Sequence, residues 1–587
     1  LGINSKKTVE EYISKKEWRV QENSNSPYSF GGLNKYLAGE VSKDYWLRTI
    51  YPENIAKAYV DGDIHIHDLS GLSLYCCGYS LKDILLKGVR GIPNVPVSDP
   101  AKHFDSILNQ IANLTTIFQN EILGAVAFNS FDTLLAPFIK YDKLSYEEVK
   151  QAMQNFVFSI NSNSRGGAEP AFTNLTFDIT PPDDLIDEYA IIGGEFVSFT
   201  YRSCQQEIDM LNRAFFELML QGDSEDKLFA YPIPTYNIHS RFDWDNPNNK
   251  LLWELAGKFG IPYFANFLNS DLDISDIRSM CCRLSIDLTK LRKKNGGLFG
   301  AGDSTGAIGV VTINFPRLGY LAKDKKDYFD RLDKLLDLAK DSLEIKRQWL
   351  NTNVINTGLV PAFDEYVGTL DNHFSVIGNV GDNEMCLNFF KKDILDEECR
   401  QFCIEVKKHI NQKLIEFQEE TGHLYNFEAT PAESTCYRLA LKDKQMYPEI
   451  VTQGSGKNVY YTNSCHIPVS KIESIHTTFE HQEELQSLYT GGTVIHIYLN
   501  GAISGEQAKE IVYTVCTKYK VPYISISPIS RYCDDHGYIK ETVDKCPICK
   551  KRVKKYQRIT GYLRCIDNFN IGKKAEFEDR VQLDGKL

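Results

Sequence analysis

Cys533, His536, Cys546 and Cys549 stand near the end of the chain in the pattern C-x2-H-x9-C-x2-C. Three thiols and an imidazole in two close pairs, with Gly537 and Pro547 supplying tight turns, suit a tetrahedral zinc ion with no open position, hence a structural site. Cys565 falls outside that spacing. Just beyond the quartet, Arg558-Ile-Thr-Gly561-Tyr562 is by itself only a turn signal. Two tandem thiol pairs, Cys76-Cys77 and Cys281-Cys282, read either as small buried residues or as redox groups. The glycines after the second pair, Gly296 to Gly302, lack the Gly-Lys-Ser/Thr of a phosphate loop and leave a loop flanking a tandem thiol. Ser434 and Thr435 open a helix whose free N–H groups can hold a phosphate, or simply cap it. His65 and His67 share one face of a short strand, as a metal pair would; with no third ligand nearby they read as buried, hydrogen-bonded histidines.

These groups need a large scaffold. The chain has 587 residues, 42% of them apolar and 12% aromatic, enough for one oversized α/β unit or several domains. A net charge of −12 disfavours a nucleic-acid-coating role. The basic run Lys550, Lys551, Arg552, Lys554 and Lys555 keeps a zinc-ribbon nucleic-acid module as the rival reading. Fifteen cysteines without a basic-then-apolar leader point to thiol or metal chemistry in a soluble, cytoplasmic protein rather than to disulfides. No run of 18 apolar residues suggests a membrane span.

Strand and helix patterns alternate along the chain, which favours α/β architecture and accommodates a closed barrel. The first sixty residues are polar and turn-rich and read as a wrapping segment. Ile107, Leu108, Ile111, Leu114 and Phe118 predict one long helix from Phe104 towards Pro137, and Ser145 with Glu148 a capping box opening the next. Residues 178–194 read as a loop or boundary. Strands are predicted over 309–314, 494–499 and 521–527, with helices around 329–343 and 504–519.

The segments ENSNSPYS, DGDIHIHDL, LYCCG, PYFANF, RSMCCRL, GGLFG, GVVTINFPR, TPAESTCYRLA, YTNSCHIPV, GGTVIHIYLN, CPIC and RITGYLR run in order through nearly the whole chain. On them the chain resembles anaerobic, class III ribonucleotide reductases of the glycyl radical enzyme superfamily. The resemblance implies a ten-stranded α/β barrel with a central finger loop over residues 1–530, including the N-terminal wrapping segment and dimer helices. A small zinc-bound glycyl radical segment follows at 531–587. It implies reduction of ribonucleoside triphosphates to 2′-deoxyribonucleoside triphosphates, with Gly561 as the radical store and Cys282 as the thiyl radical that takes the ribose 3′ hydrogen. Cys281 stands where relatives usually have Gly, so either neighbour can carry the thiyl radical. Cys76 would supply a reducing hydrogen, Asn314 would lie in the substrate pocket, and Ser434 and Thr435 would hold the triphosphate. The implied partners are a separate S-adenosylmethionine iron–sulfur activase, formate or a thioredoxin-like dithiol as reductant, dNTP or ATP as allosteric effectors, and a second copy in a homodimer. A formate-lyase type of glycyl radical enzyme is the nearer alternative; the quartet and Cys76 favour the reductase.

Overall fold

Short runs of β-branched, aromatic and small residues, interrupted by glycine and proline, form the strands at the centre of the molecule. In chain order they are β1 (Cys76–Gly78), β2 (Val126–Phe128), β3 (Thr173–Phe177), β4 (Ile233–Ile238), β5 (Tyr263–Asn266), β6 (Thr305–Asn314), β7 (His373–Val380), β8 (Leu424–Glu428), β9 (Ile495–Leu499) and β10 (Tyr523–Pro528). The structure, a computed structural model, describes all residues except 1, 16, 22–27, 164–168, 271–276, 281–283, 288–303, 431 and 587.

The spatial order is β8-β7-β6-β1-β2-β3-β4-β5-β10-β9. Strands β1 to β5 are mutually parallel, as are β6 to β8 and β9 with β10. The two sets meet antiparallel where β6 joins β1 and β10 joins β5. Main-chain bonds draw the remaining ends together, from Gly491 N to Phe427 O at 2.7 Å and from Ala429 N to Gly492 O at 2.9 Å. This is the ten-stranded barrel expected from the resemblance.

Parallel neighbours require crossovers, and helices supply them on the outside. Outward residues such as Val126, Phe128, Leu175, Phe177 and Tyr236 join one core under the helices of the first half. Val311, Ile313, Ile377 and Phe427 join a second core, beneath Lys325–Leu350 and Glu397–Thr421. The alternate positions turn inward: Cys76, Ala125, Ala127, Ala307, Val310, Phe374 and Val376 form a separate inner cluster. Small residues dominate the part of that lining around Cys76, which leaves room for inserted loops.

Some elements depart from the sequence reading. The helix from Phe104 ends at Gln119, β2 follows, and Pro137 lies inside a second helix, Phe131–Asp142. Apolar periodicity continued across the break because the short strand is itself fully buried. The N-terminal segment carries helices Ser5–Ser14, Phe30–Tyr45 and Glu53–Asp61, the last largely buried on one face. Residues 178–194 run into a hairpin, Tyr189–Ile192 with Glu195–Thr200. The Ser145–Glu148 capping box is formed as expected. Among the described residues, no helix is long and apolar enough to cross a membrane.

After β10 the chain builds a small antiparallel sheet of β11 (Ser530–Cys533), β12 (Gly537–Ile539), β13 (Lys554–Arg558) and β14 (Leu563–Cys565), in the order β12-β11-β13-β14. A last helix, Ile571–Asp579, follows it.

Candidate active site and metal centre

Cys76 is fully buried in the inner cluster, whereas Cys77 faces the outer core. The Cys76 sulfur accepts a bond from Ala125 N at 3.3 Å. Gly124 permits this approach, because a Cβ there would stand 2.4 Å from Cys76 Sγ. Burial pushes the Cys77 thiol up, so it stays protonated. Across the sheet Cys76 pairs with Ala307 of β6. Between β5 and β6, the arms Ile277–Met280 and Leu284–Asp287 pair antiparallel with Met280 opposite Leu284. The first arm passes beside β1. Cys281 and Cys282, which lie between these arms in the sequence, fall outside the described residues. On the outer side of β6, Lys346 is buried, and a Cβ on Gly309 would come within 2.8 Å of its Nζ. Burial lowers its ammonium to about 8, against the opposing pull of Asp68 and Cys76.

The Gly561 turn connects β13 to β14 and is buried, with Ile559, Thr560 and Gly561 all enclosed. Ile559 N bonds to Tyr562 O at 3.1 Å and closes the turn. From barrel strand β5, the Tyr263 hydroxyl donates to the Gly561 carbonyl. The buried Arg558 guanidinium stacks 3.9 Å from the centre of the Tyr263 ring and donates to the carbonyls of Gly260 and Ile261, the latter at 2.9 Å. On the other side, Tyr562 donates to Glu433 Oε2 at 2.5 Å. The turn is thus attached both to a barrel strand and to the residue before Ser434.

Ser434 caps the helix Thr435–Met446 by position but makes no side-chain capping bond, and Thr435 is buried at its first turn. Free N–H groups, two hydroxyls and the Gly561 turn therefore meet at one helix end, which is competent for an anionic group. Asn314 is placed differently, at the far end of β6 from Cys76. Its amide donates to Gly62 O and to Asp443 Oδ2, each at 2.9 Å, and its carbonyl accepts from Arg317 N at 3.3 Å. Those bonds tie β6 to the following helix, Phe315–Leu321. The rings of His65 and His67 lie 4.6 Å apart, with His67 bonded to Thr312 at 2.7 Å and His65 to Arg438 at 3.2 Å. Burial, then Lys346 and Arg438, lower His67 to about 3, so it is neutral.

The quartet converges. Its four ligand atoms lie within 4.8 Å of one another, with Cys533 Sγ 3.5 Å from Cys549 Sγ and 3.6 Å from His536 Nδ1. Zinc with sulfur ligands at about 2.3 Å requires such separations, so the donors fit that ion. Around them Cys533, Ile539, Cys546 and Val553 form a small core of their own. The neighbouring basic run is neutralised locally: Lys551 pairs with Asp535, Arg552 with Asp567, Lys554 with Asp534 and Lys555 with Asp544, at 2.6–3.0 Å. Four acidic partners thus offset four of the five cations, leaving Lys550 bonded to the Pro547 carbonyl, which weakens the electrostatic basis for a nucleic-acid interface.

Sequence reasoning missed Tyr263, Glu433 and Arg580 as contacts of the Gly561 turn. Alternation places Tyr263 and Ala265 on one face of β5 but does not say which face is inward. Arg580 carries no motif at all.

A family model described as anaerobic ribonucleoside-triphosphate reductase matches residues 22–583. The chain is 24% identical to the protein of that name from Haemophilus influenzae, over 93% of this chain and 81% of the relative. It is 23% identical to that of Enterobacteria phage T4, over 96% and 97% respectively. Among solved structures, an anaerobic ribonucleotide reductase superposes with a TM-score of 0.78 at 20% identity, covering 99% of this chain and 97% of the other. The Thermotoga maritima anaerobic ribonucleotide reductase in complex with dATP and CTP gives 0.74 at 19% identity, with 98% and 100% covered. Hydroxyproline dehydratase from Clostridioides difficile gives 0.52 at 10% identity, with 96% and 88% covered.

Proposed function

The chain belongs to the anaerobic ribonucleoside-triphosphate reductase family, and from that premise we propose that Gly561 stores the radical by which it reduces ribonucleoside triphosphates. The observation that carries the assignment is the burial of the Gly561 turn against the barrel, with its carbonyl bonded to Tyr263 of β5. A glycine that loses an α hydrogen becomes planar and shares the unpaired electron with both flanking amides. No side chain opposes that planarity, and burial keeps solvent and oxidants away.

In the proposed sequence, the Gly561 radical takes the hydrogen atom of the Cys282 thiol, or of Cys281, and is restored when that hydrogen returns. The thiyl radical removes the ribose 3′ hydrogen, the 2′ hydroxyl leaves as water with a proton, and Cys76 gives a hydrogen atom to the 2′ carbon. In total, substrate, two electrons and two protons yield the deoxynucleotide and water. The electrons come from formate, released as carbon dioxide, or from a dithiol, released as a disulfide. The Ser434–Thr435 helix end receives the triphosphate, while Asn314 holds the end of β6 rather than exchanging hydrogen. Zinc, when bound to Cys533, His536, Cys546 and Cys549, supplies cross-linking at the base of the hairpin. Residues 531–587 form the radical-bearing unit and 1–530 the catalytic barrel. A radical S-adenosylmethionine activase installs the radical, two copies associate, and effector nucleotides bind as the T. maritima dATP complexes suggest.

Anaerobic incubation with the activase and S-adenosylmethionine, followed by electron paramagnetic resonance, tests the assignment. A glycyl doublet is expected in the native protein and none in Gly561→Ala; a persistent doublet in that variant overturns it. Cys282→Ser is expected to keep the doublet and lose turnover, while retained turnover moves the thiyl role to Cys281.

A further inference from the structure

The polar main-chain groups at the root of the Gly561 turn are held from outside the hairpin by a residue of the C-terminal tail. Arg580 donates through Nη1 to Arg558 O at 2.9 Å and to Gln557 Oε1 at 3.0 Å, and through Nη2 to Ile559 O at 3.1 Å. Its remaining Nη2 bond, 2.8 Å long, goes to Glu576 Oε1, whose other oxygen accepts from Lys573. All three side chains are buried. Burial alone would raise the Glu576 carboxyl, but Lys573 and Arg580 outweigh it and hold the group below its usual range, so Glu576 faces them as a carboxylate.

The tail carrying this triad is anchored to the barrel and not only to the hairpin. Leu583 N donates to Tyr498 O at 2.9 Å and Asn500 N to Leu583 O at 3.2 Å, beside β9. Val581 N bonds to Val469 O at 2.9 Å, and the Arg580 guanidinium sits 4.1 Å from the centre of the Tyr498 ring. At the other end of the helix, Asn570 donates to Glu433 O at 3.1 Å. Main-chain pairing joins β13 to β11 only over 554–556, so no sheet pairing ties the main chain of residues 558–561 to the barrel, whereas the Arg558 side chain reaches the Gly260 and Ile261 carbonyls. Two outside donors take the carbonyls of that stretch: Tyr263 at Gly561, and Arg580 at Arg558 and Ile559.

We propose that Arg580, braced by Glu576 and Lys573, is the positioning residue that latches the Gly561 turn into the barrel and sets how readily the turn leaves it. The role of that turn in radical chemistry is the reading given above; the latch itself is a statement about main-chain attachment. A guanidinium suits the task, because its two Nη groups here meet four acceptors, two successive carbonyls, the Gln557 amide oxygen and a carboxylate, one more than the three donors of an ammonium can serve.

The test compares hydrogen–deuterium exchange of the full-length, zinc-loaded, non-activated protein with that of Arg580→Gln. Losing charge-assisted bonds to two carbonyls is expected to speed exchange over residues 559–564 by about tenfold or more. Peptides from β7 and from the zinc knuckle, 546–553, are expected to keep native rates. With activase present, Arg580→Gln is expected to gain its glycyl signal at least as fast as the native protein, yet to turn over at least about tenfold less per radical. Arg580→Lys should fall between the two, and it is read in place of Arg580→Gln if the latter is not recovered folded. Exchange over 559–564 within twofold of native overturns the latch, and so does equal acceleration in β7, which would make Arg580 a general fold residue. An absent glycyl signal in the native protein would remove the radical role of Gly561 while leaving the exchange comparison intact.

Discussion

At the scale of single residues, the site depends on buried polar groups whose protonation is fixed by their surroundings. Lys346 is the clearest case: burial holds its ammonium at about 8, although Asp68 and Cys76 pull the other way. Between that value and the ordinary lysine value near 10.4, the unfolded chain binds more protons than the folded one. Stability from this group therefore rises with pH across that window, by up to about 3 kcal/mol. Below it, Lys346 is charged in both states and its burial is a standing cost. Lys346→Met should thus be most favourable relative to the native protein near pH 7 and lose that advantage by pH 10. Urea midpoints of the two proteins, measured across this range, check the trend; a constant difference contradicts it. Single residues were also where the sequence was least complete. The glycine of a short pentapeptide was legible only through resemblance, while Tyr263, Glu433 and Arg580 stayed silent, because hydrogen bonds to partners 298, 129 and 21 residues away leave no local pattern.

At the scale of elements, legibility followed periodicity. The buried strands β6, β9 and β10 and the capped helices opening at Ser145 and Ser504 matched their sequence signals. The three-residue strands β1 and β2 are too short to show a period, so β2 vanished into a predicted helix. The zinc quartet was readable because ligand spacing is itself local. Its structural consequence was not: β11 carries Cys533 and pairs with β13, the strand that leads into the Gly561 turn. Removing the metal should loosen that pairing, since the apolar core of the knuckle is small. We expect a chelated protein to keep its barrel circular dichroism and its β7 exchange protection while losing most of its glycyl radical yield. Normal radical yield in demonstrably metal-free protein would contradict the clamp.

For the whole molecule, the fold explains how a reactive centre can be both enclosed and serviceable. Two antiparallel sets of parallel strands make a wide barrel whose lining is small around Cys76. Two segments meet it: the arm Ile277–Met280, which passes beside β1, and the turn carrying Gly561, whose carbonyl bonds to Tyr263 of β5. The second is fixed by contacts of modest number: Tyr263, the Tyr562–Glu433 bond, Arg558 on β5's approach, and the Arg580 tail. Such an attachment can be broken as a unit without unfolding the barrel, as the proposed installation of the radical by a separate protein would require. Composition and alternation announced an α/β protein, but barrel closure and the seating of the Gly561 turn are properties of the tertiary structure. The central claim is that the stored electron resides on the α carbon of Gly561. The splitting of its resonance then comes from the one hydrogen left on that carbon. Protein prepared with α-deuterated glycine and activated anaerobically should therefore give a doublet collapsed to a single line. An unchanged doublet would place the radical on another residue and contradict the account.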